Sequence, residues 1–154
     1  MVRSFTAAPL SAEDIAVTFP VINAALPAVD FATWRRFARG LVDLPSPYPA
    51  GGACLRNEGG YVCGVMTYRI DRDLRDGTAL NVDVFAALDV TGEDAATRAL
   101  VQVAEEKARE LRCTAIRVHL ETGGDGLAQR FLAGGYRHQA TVFGKRLATA
   151  PVEA

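Results

Sequence analysis

The sequence predicts an α+β domain: a mixed, mostly antiparallel sheet with one parallel strand pair, flanked by about four helices. Three observations predict it. Two apolar runs, ACLRNE (53–58) and YVCGVMTYRI (61–70), are joined by Gly59-Gly60, which is a hairpin signature. After the polar DRDLRDG (71–77), read as a turn, TALNVDVFAAL (78–88) extends the hairpin into a meander. A strongly periodic helical segment then separates that run from TAIRVHLE (114–121), which is the pattern of a β-α-β crossover. Strands joined in that way lie parallel, so 78–88 and 114–121 are expected to be neighbours.

The elements follow in order. RSFTAAP (3–9) reads as a short first strand. Ser11-Ala-Glu-Asp14 has the spacing of a capping box and opens a helix with Ile15, Phe19, Ile22 and Leu26 on one face; Pro20 is expected to kink or split it. Asp30 caps a second helix with an apolar stripe of Phe31, Trp34, Phe37, Ala38 and Leu41, and with Arg35, Arg36 and Arg39 on its outer side. DLPSPYPAGG (43–52) reads as a Pro/Gly loop. The helix after the meander, about 18 residues long, buries Ala96, Leu100, Val103, Ala104, Ala108 and Leu111 and turns Gln102, Glu105, Glu106 and Arg109 outward. GLAQRFLAGG (126–135) is a short helix ended by glycine, and YRHQATVFGKRL (136–147) is a last strand. Residues 1–149 form one domain and 150–154 a frayed tail. The order is β-α-α-β-β-β-α-β-α-β.

Composition narrows the function. With 154 residues, 49% hydrophobic, 23% charged and a net charge of −1, the chain is globular and lacks the basic footprint of a nucleic-acid binder. No apolar run approaches the roughly 20 residues that span a bilayer, and the N-terminus lacks a continuous apolar segment of the secretory kind. Three cysteines without CxxC spacing favour reduced thiols in a cytoplasmic setting over disulfides or a metal site. GxSxG, HExxH, Walker and dinucleotide motifs are absent.

DVTGEDAATRAL (89–100) stands where a strand feeds a helix N-terminus, a place suited to cradling a phosphate. Thr91 and Asp94 also have the spacing of a capping box, and acids in a first turn complement the helix dipole. Both readings fit the position. Against an anion, the carboxylates of Glu93 and Asp94 each cost on the order of 1 kcal/mol at 4–6 Å in water. Arg98 is the nearby cation.

This element order, with ATRALVQVAEEKAREL (96–111) and DGLAQRFLAGGYR (125–137), resembles the GNAT superfamily of acyl-CoA-dependent N-acyltransferases along nearly the whole chain. The second stretch is similar to the family's Asn-x-x-Ala helix ending in Gly-Phe, with Asp125, Ala128, Gly135 and Tyr136 in matching positions. The resemblance implies acetyl-CoA as co-substrate and a small amine as acceptor. It places the pantetheine arm on Phe85, Ala86, Ala87 and Leu88, and the pyrophosphate on Gly92, Ala95, Ala96, Thr97 and Arg98. The family's Arg/Gln-x-x-Gly-x-Gly/Ala loop is degenerate here: Gly92 stands at the basic position, Ala95 and Thr97 at the small ones.

The position of the family's proton-donating Tyr holds Phe131 or Leu132, depending on the anchor, which leaves Tyr136 as the nearest hydroxyl in sequence. For the base, Asp83 and His119 fall on neighbouring strands, where a carboxylate beside an imidazole raises its pKa. The opposite reading makes both of them solvent-side residues of half-exposed strands. Two functions remain open: an N-acyltransferase working by direct attack, or a non-catalytic ligand-binding or interaction module on the same fold. TVFGKRL (141–147) is a strand able to pair with the edge of a second copy as a homodimer.

Overall fold

Asn57 and two glycines set the first hairpin. The Asn57 side chain accepts from the N–H groups of Gly59 and Tyr61, and Gly60 adopts φ +81°, a left-handed conformation natural to glycine. In a computed structural model, which describes residues 4–44, 49–89, 93–121 and 126–148, this turn joins β2 (Ala50–Arg56) to β3 (Val62–Asp73). The chain divides into two compact units, Met1–Glu121 and Thr122–Ala154.

The first unit holds a five-stranded sheet in the order β1-β2-β3-β4-β5, with β1 at Thr6–Pro9, β4 at Gly77–Ala87 and β5 at Ala115–Val118. All neighbours are antiparallel except β4 and β5, which run parallel as the crossover requires. The helices are α1 (Asp14–Ala25), α2 (Phe31–Val42) and α3 (Ala95–Glu110). The cross-strand row Cys54–Val65–Ala86 packs under α1 and α2 with Ile15, Ile22, Trp34 and Ala38. The next row, Leu55–Gly64–Ala87, faces the other way, and a Cβ at Gly64 would lie 3.1 Å from Leu55 and 3.5 Å from Leu100 of α3. Both faces of the sheet are covered, so Cys63 to Thr67 are buried without alternation.

Caps behave as local chemistry dictates. Asp30 accepts from the Thr33 N–H at 2.8 Å. At α1 only the reciprocal half of the expected box forms, with Asp14 accepting from the Ser11 N–H at 2.9 Å. The Ser11 hydroxyl donates to the same carboxylate, and Glu13 precedes the helix without a side-chain cap bond. Pro20 does not split α1, which runs unbroken through it. Three expectations are corrected. Ala50, Gly51 and Gly52 belong to β2 rather than to the preceding loop, because each pairs with β3 and Tyr68 lies over Gly51, where a Cβ would sit 2.9 Å from its hydroxyl. The turn after β3 is shorter than 71–77: β3 runs to Asp73, whose side chain accepts from the N–H groups of Arg75 and Asp76. Leu111 ends α3 as its cap and is 41% exposed instead of lining the core.

The second unit holds α4 (Leu127–Ala133), closed by Gly134 and by Gly135 at φ +92°. The strand expected over 136–147 does not form there; Val142, Phe143 and Leu147 are exposed. A segment becomes a strand only where a partner completes the ladder, and 136–147 carries no regular apolar/polar alternation that would pin it against one. Asp125 and the tail 150–154 lie outside the described residues.

Candidate active site

The middle of β4 carries an irregularity that organises its surroundings. Thr67 pairs with Val84 but Tyr68 pairs with Val82, so Asp83 is the extra residue of a β-bulge. Its carboxylate accepts from Arg69 Nε at 3.0 Å on β3. Arg69 also bonds Asp71, and the Asn81 amide donates to Asp71 at 3.1 Å. One guanidinium thus serves two carboxylates, and the group carries a net charge of −1. Opposite Val84, the hydroxyl of Thr67 is buried and has no hydrogen-bond partner among the described residues.

Val84 also forms the floor of a pocket of about 170 Å³ between α1 and α2. Its walls are Ile22, Leu26, Val29, Trp34 and Phe37, with Thr33. The Trp34 indole is held in place: its N–H donates to the Ile15 carbonyl at 3.0 Å and to the Thr18 hydroxyl at 3.1 Å, and Phe37 stacks on it at 6.2 Å between centroids. The amphipathic spacing of α1 and α2 was legible in the sequence. The void between them was not.

At the bulge, the parallel ladder ends. Its last pair is Val82–Val118, followed by the His119 N–H to the Val82 carbonyl at 3.0 Å, while β4 continues to Ala87. His119 is exposed. The structure therefore brings Asp83 to Arg69, across β3 and β4, and not into a hydrogen bond with His119. Of the residues expected to hold the pantetheine arm, Phe85 and Ala86 are buried, Ala87 is half-buried, and Leu88 is 42% exposed with its N–H on the Cys63 carbonyl.

The start of α3 answers the question posed by its sequence in an unexpected way. The carboxylate on its free amides is that of Asp89. It accepts from the Ala96 N–H at 2.7 Å, the Thr97 N–H at 3.3 Å and the Thr97 hydroxyl at 2.6 Å. An acid thus already occupies the positive end of the helix. Asp94, the residue of the expected capping box, adopts φ +56° and makes no side-chain cap bond; its partner Thr91 lies outside the described residues, as does Gly92. Ala95 is half-buried, Ala96 and Thr97 are buried, and Glu93 and Arg98 are exposed. Sequence reasoning missed Asp89 because a capping box is sought three residues from its partner, and Asp89 reaches over seven and eight.

In the second unit, Tyr136 packs edge-on against Phe131 at 5.0 Å, and its N–H donates to the Phe131 carbonyl. Burial pushes all three thiols up; at Cys54 the Arg56 charge opposes this, and at Cys63 the Asp89 charge adds to it. None has the environment of a nucleophile.

No protein-family model and no curated protein matches the chain. Solved structures do. An aminoglycoside N-acetyltransferase, AAC(6')-Iy, in complex with CoA superposes with a TM-score of 0.76 at 8% identity, over 96% of this chain and 97% of that one. A ribosomal-protein-alanine N-acetyltransferase from Brucella melitensis biovar Abortus gives 0.72 at 16% identity, over 94% and 100%. A transcriptional regulator from Bacillus halodurans gives 0.77 at 12%, over 94% and 100%. Identities this low speak for architecture alone. The five-stranded sheet with one parallel pair, the four helices among the described residues and these superpositions agree: the chain has the GNAT fold.

Proposed function

We propose that the protein is an acyl-CoA-dependent N-acyltransferase that passes an acetyl group to a small amine by direct attack. The observation that carries this reading is the end of the parallel ladder at Val82–Val118 while β4 runs on through Phe85 and Ala86, in a chain of GNAT fold. In this reading the backbone of Phe85 to Leu88 receives the pantetheine arm. Acyl-CoA supplies an activated thioester; the amine nitrogen forms the new C–N bond as the C–S bond breaks, and the sulfur takes up a proton. Asp83 and His119 are the candidates to receive the proton of the amine, and Tyr136 is the candidate hydroxyl. The α3 terminus fits a pyrophosphate only after Asp89 releases Ala96 and Thr97. Gly92 and Arg98 complete that proposed subsite.

Asp89 also favours a second reading, a non-catalytic binding module whose α3 terminus is satisfied internally. Mixing the protein with acetyl-CoA and a panel of primary amines, and following free CoA by chromatography, separates the two. Acetylated amine formed in proportion to enzyme supports the transferase. Binding of acetyl-CoA without turnover supports the module.

A further inference from the structure

The pocket over Val84 has a size and lining that select a chemistry. At about 170 Å³ and half open to solvent, it has room for a group about the size of a benzene ring. Its walls are aliphatic and aromatic apart from Thr33, and the indole at its back is locked by two hydrogen bonds, so the cavity is preformed. Asp83 immediately precedes Val84 in the bulge; it is outside the pocket lining and belongs to a group with one guanidinium for two carboxylates. An apolar pocket beside a net negative group suits a cation with a compact apolar body.

We infer that this pocket is the acceptor-specificity pocket, and that the acceptor is a primary amine carrying one ring or branched alkyl group, with its ammonium toward Asp83. The inference rests on the transferase reading for the word acceptor, but the pocket is testable without it. A polyhydroxylated amine leaves its hydroxyls unsatisfied against Trp34, Phe37 and Val84, and is disfavoured.

Trp34 is the sole tryptophan, so its emission reports occupancy directly. Titration with 2-phenylethylamine is expected to change that emission saturably, while ethanolamine does not. Val84→Phe fills the pocket and abolishes the response. Phe37→Ala, at a half-exposed ring, enlarges the pocket and moves the preference to a bulkier amine; it serves if Val84→Phe fails to fold. Asp83→Asn weakens 2-phenylethylamine but not neutral 2-phenylethanol. With acetyl-CoA present, kcat/KM for 2-phenylethylamine is expected to exceed that for ethanolamine by about 10-fold or more. No saturable response, or an equal response to ethanolamine, overturns the pocket. Transfer to ethanolamine as fast as to 2-phenylethylamine overturns it too, while leaving the transferase standing. Saturable binding without transfer to any amine leaves the pocket standing as a binding site and overturns the transferase.

Discussion

Asp89 shows how one carboxylate decides between two uses of a helix end. Its bonds to Ala96 and to both donors of Thr97 satisfy amides that an incoming anion would otherwise take. Asp89→Asn keeps an acceptor but loses the charge, and Asp89→Ala loses both. We expect Asp89→Ala to lower stability by about 1 kcal/mol in urea unfolding. In the transferase reading, Asp89→Asn also tightens acetyl-CoA, because the charge repelling the pyrophosphate is gone. A second residue-scale effect depends on pH. The Arg117 guanidinium, with the N–H groups of Asp76 and Arg75, holds the Asp73 carboxyl well below the usual carboxylate range. A depressed pKa contributes stability that is present above the unfolded value of about 3.9 and is lost as pH falls through the folded one. Arg117→Gln is therefore expected to lower the urea midpoint at neutral pH. The gap from the wild type closes as pH falls below about 4.

Among elements, α3 is the most fully determined. Leu100 is fully buried beside Gly64, so Leu100→Ala is expected to cost about 2–5 kcal/mol. Its C-terminus holds a strained residue. Arg112 sits at φ +59°, with its N–H on the Arg109 carbonyl and the Cys113 N–H on the Ala108 carbonyl, the pattern of a Schellman motif. Glycine adopts that conformation without the Cβ penalty, so Arg112→Gly is expected to raise stability by about 0.5–1 kcal/mol. The bulge in β4 works the other way. It breaks the alternation of the strand at Asp83, which is why faces read by twos across residues 78–88 do not carry through.

For the whole molecule, the test is the cofactor. Acetyl-CoA at 100 times its dissociation constant stabilises by about 2.7 kcal/mol, which raises Tm by roughly 5–11 °C for a chain of this size. We expect such a shift, and we expect Arg98→Glu to reduce it by replacing the exposed cation with a third acid beside Glu93 and Asp94. An unchanged Tm at millimolar acetyl-CoA would count against cofactor binding altogether.

The sequence by itself determined the element order through α4, the Asp30 cap, the Gly59-Gly60 turn, the buried face of α3 around Leu100, and the one parallel pair. These are local signals: propensity, spacing and turn chemistry act within a few residues, and the crossover follows from connectivity. Only the tertiary structure decided what the site residues touch. Asp83 faces Arg69 across 14 residues, Trp34 reaches Ile15 across 19, and Asp89 folds onto α3. It also decided that 136–147 makes no strand. Side-chain partners and strand pairing depend on register and on which chains of atoms meet in space, and a single inserted residue such as Asp83 resets both.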